Sequence, residues 1–516
     1  MFHNFKYLIK DFKRLDFHFY KILLDKNATE TTYCISILQF IKPHSEYFIK
    51  YKYFIIKRLY FIFIIFFLDK FLRFIKWTIR KLEDFFLSLF FNKTNNLDTK
   101  NNDIIFITNL VNANTLKSRK NINNDFIFGN MIYDLRINYN VKVFYINNTA
   151  SNSRKIFQEL KLNNNIFILK KILTFSEEIS ILLLQFVELK NLILILFLKK
   201  INLYHSLLIF NDLFSYETRN NIRLKIQLRK LINIYSPKIV VTNYEGHCWE
   251  KTVFNICKSI NESNIKTIAY QHGGIIKNQL SISRKYKKNY NPDYILTSGN
   301  INLDFFSNFF KNKNKLFEIG SNRSSFFDKK KILQLFFDNK SKVHNCLVIP
   351  EGTYEETKIL FDFSYKVAKS IPKINFILRT HPQINIKRFA KNFFIFNKYD
   401  FLKNFIISEN SFDNDLKKSQ ILLYRGSTGV VTAVLNGLIP IYYKKPNEDI
   451  NIDPIFKLKK FRKVVSNEDD FIKILSKNFM ISAKDTETAI KFCKNYFTNQ
   501  YRNKTKLIFN SILNDN

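Results

Sequence analysis

Cysteine is too sparse and too scattered to organise this chain. The five, Cys34, Cys248, Cys257, Cys346 and Cys493, form no CxxC pair and no even set. That excludes a thiolate metal cluster and a disulfide framework, and it fits a reducing compartment. Long apolar runs are missing as well. The longest uninterrupted one, Leu59–Leu68, lies between Lys57-Arg58 and Asp69-Lys70. As helix it rises about 15 Å, half the hydrocarbon core of a bilayer, so a spanning helix is not expected. The start, Met1-Phe2-His3-Asn4-Phe5-Lys6, lacks the pattern of a secretory leader. Glycine is the most informative shortage. There are ten, and nine of them lie between Gly246 and Gly437. Glycine accepts positive φ and close backbone approach where other residues do not. A chain this poor in it keeps it where turns are tight and ligands come near, so a site is expected within 246–437.

Acidic residues are outnumbered: 43 Asp+Glu face 82 Lys+Arg, a formal net charge of +39. Such a surplus attracts polyanions and anionic lipid. Lys, Asn, Ile and Phe are abundant together, and all four can be written with A/T-rich codons, so drift in base composition is a second source of the charge. The lysines are spread among Asn and Ile instead of gathering on one recognition helix, and no named nucleic-acid motif occurs. Nucleic acid is therefore not expected as a partner. Residues 47–90 mix apolar and basic side chains at short intervals, as in Phe71-Leu72-Arg73-Phe74-Ile75-Lys76-Trp77. That pattern suits a helix lying in the interface of an anionic membrane, and equally an amphipathic helix packed on its own domain.

With 46% hydrophobic residues, 516 residues suffice for two or three cores. Residues 1–100 read as a helical, basic and aromatic region ending in the polar stretch 92–96. Apolar runs bounded by turn residues then predict strands at 103–110, 141–146, 166–169, 238–242, 266–270 and 294–297, with helices at 217–234 and 248–262 between them. After an Asn/Lys-rich segment near 311–340, a second set predicts strands at 345–349, 375–379, 420–424 and 439–442, with helices at 354–370 and 427–436. Strands alternating with helices imply α/β architecture with parallel sheets. Two such halves, 101–325 and 326–516, place a site in the cleft at their strand C-termini.

Three constellations lie at predicted strand ends. Thr242-Asn243-Tyr244-Glu245-Gly246-His247-Cys248-Trp249-Glu250 joins a strand to a helix. Glu245 is placed to take a proton from a hydroxyl, provided burial or a neighbouring carboxylate such as Glu250 tunes it, and it is placed equally well to cap the helix. Tyr270-Gln271-His272-Gly273-Gly274 sets a histidine beside exposed backbone N–H groups, which suits an anion or a proton-transfer step; a structural histidine is the alternative. The third is in two pieces, Arg379-Thr380-His381-Pro382 and Arg425-Gly426-Ser427-Thr428-Gly429. A strand, a Gly-Ser-Thr-Gly turn and a helix start make an anion site from N–H groups, hydroxyls and the helix dipole. Ser427 or Thr428 acting only as an N-cap explains the turn alone. Glu351-Gly352-Thr353 and Gly320-Ser321-Asn322-Arg323 are placed to join the same cleft. Neither a phosphate loop of the kinase type nor a GxGxxG fingerprint is present. Asp413-Asn414-Asp415 reads as part of a polar loop, away from any strand end.

Taken in order, the acid-Gly, His-Pro and Ser-containing motifs resemble those of bacterial polysialyltransferases and related capsule glycosyltransferases of the GT-B fold. Glu245-Gly246-His247-Cys248-Trp249-Glu250 leading to Ile268-Ala269-Tyr270-Gln271-His272 is similar to bacterial surface carbohydrate biosynthesis proteins, which show an acid-x-x-x-Trp-Glu helix start and a strand ending in Gln-His. The likeness covers residues 235–445, and 103–235 only by strand–helix rhythm. It implies two Rossmann-like domains, acceptor-binding (101–325) and donor-binding (326–516), after the helical region. It implies Glu245 as general base, with Glu250 in reserve, since Tyr244 stands where those sialyltransferases often carry a second acid; His272 is a further catalytic candidate. His381, Ser427 and Thr428 would hold the donor phosphate, lined by Arg379, Pro382, Arg425, Gly426, Gly429, Glu351 and Gly352. The nucleotide-sugar, with a CMP-nonulosonate favoured, would be a co-substrate, with no bound cofactor and no metal. A glycan or lipid-linked acceptor at the cytoplasmic face of the plasma membrane completes the expectation. His272-Gly273 is also similar to the His-Gly of the glycerophosphate transferases that build teichoic acid, so a phospho-alditol transferase is an alternative. A non-catalytic scaffold of the same fold is another.

Overall fold

The structure is a computed structural model. It describes residues 103–109, 125–146, 167–190, 216–323 and 343–515, with some positions excepted in most of these ranges, together with Leu68, Leu72 and Ile75. The helical region expected over 1–100 lies outside the described residues apart from those three, which are helical.

Two sheets organise the chain. The first holds β1 (Ile104–Asn109), β2 (Val141–Ile146), β3 (Phe167–Ile168), β4 (Ile239–Asn243), β5 (Lys266–Gln271), β6 (Tyr294–Thr297) and β7 (Leu316–Glu318) in the order 3-2-1-4-5-6-7. The second holds β8 (Asn345–Ile349), β9 (Asn375–Leu378), β10 (Phe405–Ile407), β11 (Ile421–Tyr424), β12 (Ile439–Tyr443) and β13 (Lys463–Val465) in the order 10-9-8-11-12-13. Every pairing is parallel. The sequence dictates this. Ile-Val-Val-Thr-Asn of β4 and Ile-Leu-Leu-Tyr of β11 are buried at each position, the mark of strands covered by helices on both faces. In each sheet the strand order reverses beside the first strand, between β1 and β4 and between β8 and β11. At such a switch point the loops leaving the two strands diverge and open a crevice.

The helices that bear on the site follow from their ends. Cys248–Ser259 (α3) starts directly after the β4 turn, and Tyr354–Ser370 (α5) starts after Thr353, whose side chain accepts from the Glu356 N–H. Met131–Arg136 (α1) and Tyr216–Tyr235 (α2) precede α3, and Asn300–Ser307 (α4) lies between α3 and α5. Then come Phe412–Lys418 (α6), Gly429–Leu435 (α7), Glu468–Ser476 (α8), Ala483–Tyr496 (α9) and Arg502–Asn514 (α10). The Asp413-Asn414-Asp415 run, expected in a loop, forms the first turn of α6, because the Ser411 hydroxyl caps it by accepting from the Asn414 N–H.

The last helix returns to the first domain. Residues of α9 share a core with α7, whereas Ile508, Phe509 and Ile512 of α10 pack among β1, β2, β4 and α1 in the first domain. The crossing segment is tied to the first sheet by Thr498 N–H donating to Ser298 O (3.0 Å) and Ser321 N–H donating to Thr498 O (2.8 Å). By packing, α10 belongs to the first domain although it ends the second half of the sequence.

Candidate active site between the two sheets

Glu245 leaves the C-terminal end of β4 and lies between two imidazoles. His247 Nε2 stands 2.9 Å from its Oε2, and His272 Nε2, at the end of β5, stands 3.3 Å from its Oε1. The Glu245 side chain keeps 39% of its surface open, whereas His272 is buried. Burial pushes the His272 imidazole down to about 4, against the opposing pull of the Glu245 charge. At neutral pH the ring is therefore neutral. Facing a carboxylate, it carries its proton on Nε2, since two acceptors so placed would repel. The Arg323 guanidinium, on the turn after β7, completes the charge balance: it is felt by both Glu245 and His272.

Glu250 takes a different place from the one expected of a reserve base. It is fully buried on the first turn of α3, and its carboxylate accepts the backbone N–H of Glu245 (3.0 Å), Gly246 (2.8 Å) and His247 (2.9 Å). Burial and the Glu245 charge push this carboxyl up, while those backbone donors and Lys251 pull it down. Its lone pairs are spent on the turn that presents Glu245, so it positions that residue. The acid reaching back to the helix N-cap N–H is half of a capping box.

On the second sheet three strand-end loops interlock. Gly426 has φ +71, and a side chain there would meet Glu351 Cβ at 2.8 Å. A Cβ on Gly352 would stand 3.2 Å from the His381 ring. Glu351-Gly352 after β8, His381 after β9 and Gly426-Ser427-Thr428 after β11 are thus brought together, as the sequence motifs predict. Thr428 precedes α7 and makes no side-chain cap bond, while Ser427 Oγ accepts weakly from Gly429 N–H (3.3 Å). Capping therefore does not absorb the Thr428 hydroxyl. Pro382 lies outside the described residues.

Two of the cations assigned to phosphate do other work. Arg425 is fully buried and points beneath its loop, ion-paired to Glu356 and Glu448 and donating to Tyr442 OH (3.2 Å) and Tyr443 O (3.1 Å). With two carboxylates already on it, it braces the turn from below. Arg379 pairs with the buried Asp415 at 2.5 Å and donates to Asn410 O (2.6 Å), so it ties β9 to α6. His247 and Arg323, in contrast, stand beside Glu245; the sequence motifs include both, and 320–323 is expected at the cleft, but neither residue is given a role there. Their signal was adjacency to Glu245 in sequence and a glycine turn at Gly320, with φ +89.

The two halves meet at this point. Gly274, at the end of the His272 loop, lies so close to Thr428 that a Cβ would overlap its methyl. Beside it, Ile275 N–H donates to the Tyr496 hydroxyl (2.9 Å), which donates in turn to Ile275 O (3.2 Å). The carboxylate–imidazole group of one sheet and the Ser-Thr turn of the other thus face a common cleft.

No protein-family model matches the chain, and a search of curated proteins returns no match. Among solved structures it is similar to UDP-GlcNAc 2-epimerase from Neisseria meningitidis (12% identity, 80% of this chain and 100% of that one, TM-score 0.45). It is also similar to MurG from Acinetobacter baumannii (10% identity, 79% and 99% covered, TM-score 0.43) and to an α,α-trehalose-phosphate synthase from Burkholderia vietnamiensis (9% identity, 80% and 99% covered, TM-score 0.44). At such identities and scores these likenesses carry no chemistry over. The chain's own sheet orders define the class: two Rossmann-like domains facing a cleft, a GT-B-like fold.

Proposed function

We propose that this protein is a glycosyltransferase that moves a sugar from a nucleotide-activated donor to a growing surface polysaccharide or lipid-linked glycan. The observation that carries the reading is the approach of Gly274 to Thr428, which sets Glu245 on one wall of the cleft and the Ser427-Thr428 turn with His381 on the other. In this reaction Glu245 takes the proton of the acceptor hydroxyl as its oxygen forms the new bond to the anomeric carbon. The sugar–phosphate C–O bond breaks, and its electron pair goes to the leaving nucleotide. Charge grows on that phosphate in the transition state, so donors fixed beforehand at Ser427, Thr428 and His381 stabilise it more than the ground state. His247 and His272 hold the base in one orientation. These donors take the role a metal has in other transferases, so a chelator should leave transfer unchanged. The motif order favours a CMP-nonulosonate donor, and an acceptor held at an anionic inner membrane surface.

The test is thermal stabilisation by CMP, UDP, GDP and CDP, on wild type and on Ser427→Ala and His381→Ala. One nucleotide should stabilise the wild type. Each variant should weaken its binding by about 1.5–3 kcal/mol, roughly ten- to a hundredfold, as expected for a lost charge-assisted bond. A response to CDP in place of CMP would favour the phospho-alditol reaction. Stabilisation by none of the four would overturn the donor site and leave a non-catalytic scaffold.

A further inference from the structure

Tyr496 is the last residue of α9, at the point where the chain leaves the second domain for the first. Its ring is buried in one core with Val430, Val431 and Val434 of α7, the helix that follows the Ser427-Thr428 turn. A phenylalanine would fill that apolar space as well. The hydroxyl has other partners: it accepts from Ile275 N–H (2.9 Å) and donates to Ile275 O (3.2 Å). Its donor and acceptor roles thus both go to the residue that follows His272-Gly273-Gly274.

The other end of that loop is tied to the same crossing segment. Ser298, after β6, accepts Thr498 N–H on its carbonyl (3.0 Å) and donates its own N–H to Gln271 O (3.1 Å). Asn302 of α4 donates to Ser298 Oγ (2.8 Å) and to Tyr496 O (3.3 Å). The Gln271 side chain donates in turn to Gly273 O. Gln271, Ser298 and Asn302 are all buried, where each such bond is costly to break. Two glycines let the segment lie this close. A Cβ on Gly299 would meet the carbonyl oxygens of Asn495 and Tyr496, and one on Gly320 would meet that of Asn499. The loop needs such ties, because Gly273-Gly274 gives its backbone the freedom to move. Its place sets the approach of His272 Nε2 to Glu245 Oε1, 3.3 Å apart.

We propose that Tyr496 is a positioning residue whose hydroxyl, carried on a helix of the second domain, holds the His272 loop against Glu245. One side chain then keeps the two walls of the cleft in register. The catalytic consequence rests on the proposed role of Glu245 as base; the clamp itself does not.

The test compares Tyr496→Phe with wild type and with Tyr424→Phe. Tyr496→Phe retains the ring, and with it the packing of α9 beside α7. Tyr424 is a second buried tyrosine of the same core, and its hydroxyl donates to Asp453 (2.7 Å). Amide hydrogen exchange of the full chain, read by mass spectrometry, should quicken about tenfold or more across residues 272–275 in Tyr496→Phe. A buried N–H and C=O lose their partner there, and the loop opens more often. Tyr424→Phe should lower the denaturant midpoint and leave exchange across 272–275 as in wild type. For a donor carrying whichever of CMP, UDP, GDP or CDP stabilises the wild type, Tyr496→Phe should lower kcat about tenfold or more. Its KM should stay within about twofold, since Ser427, Thr428 and His381 are untouched. Unchanged exchange across 272–275 in Tyr496→Phe, or equal quickening in Tyr424→Phe, would overturn the proposal. So would quickened exchange with a wild-type kcat, because the place of the loop would then not matter to the reaction. If none of the four nucleotides stabilises the wild type, the donor site fails, and exchange still decides the clamp.

Discussion

Replacing Gly274 by alanine tests the contact on which the cleft rests. The added Cβ would stand 2.8 Å from the Tyr496 hydroxyl and closer still to the Thr428 methyl. Non-bonded heavy atoms settle near 3.5–4.0 Å, so the His272 loop and the Thr428 turn must separate by about 1 Å. Neither side yields easily. Tyr496 is buried and bonded to both backbone groups of Ile275, and Thr428 leads into a helix whose apolar residues are buried. Overpacking of this kind costs about 1–3 kcal/mol. The functional cost should be larger, because a misplacement of about 1 Å between reacting groups lowers a rate by about a hundredfold. Thr428→Ser removes the offending methyl and keeps the hydroxyl. In the Gly274→Ala background it should recover part of the loss, with a coupling of about 0.5–3 kcal/mol in a double-mutant cycle. Denaturant unfolding gives the stability, and nucleotide affinity together with donor turnover gives the function. Equal unfolding midpoints for Gly274→Ala and wild type would refute the reasoning. So would a Thr428→Ser effect that simply adds to that of Gly274→Ala.

Two further outcomes follow from buried charge. Arg425→Ala strands Glu356 and Glu448 without their cation and should destabilise the second domain by about 3–5 kcal/mol, seen as a lower denaturant midpoint. His272 has a folded-state value depressed below that of the unfolded chain, so its contribution is fully present above about 6.5 and is lost as pH falls towards about 4. Across that window wild type should lose about 3 kcal/mol relative to His272→Gln, read as the difference between their unfolding midpoints at each pH. A constant difference would show that the ring titrates normally.

The long buried strands were legible in the sequence because a parallel strand covered on both faces is a continuous apolar run. β1, β2, β4, β5, β6, β8, β9, β11 and β12 fall within a residue or two of their expected places. β7, β10 and β13 were not, since Leu-Phe-Glu, Phe-Ile-Ile and Lys-Val-Val are too short to show a period, and each closes an edge of its sheet. The return of α10 to the first domain was hidden for another reason. Its pattern announces an apolar face, but a face does not name its partner, and the partner lies some 370 residues back, where Tyr139 OH bonds Asn510.

The site shows the same limit more sharply. Glycine scarcity located the cleft, because Gly274, Gly352 and Gly426 each mark a place where another loop occupies the space of a side chain. It could not say which charged neighbour faces that cleft. Arg425 and His381 both end strands beside such loops, yet Arg425 turns inward to Glu356, 69 residues away in the chain, while the His381 ring stays against Gly352. Glu245 and Glu250 divide in the same manner. Two carboxylates five residues apart across a strand–helix turn cannot both project outward once the turn's N–H groups need an acceptor. The one on the helix, with its side chain directed back toward the N-terminus, is the one that reaches them. The acid on the turn itself is then left to the cleft. The burial of Glu250 is therefore a condition for the exposure of Glu245, and the two act as a single unit.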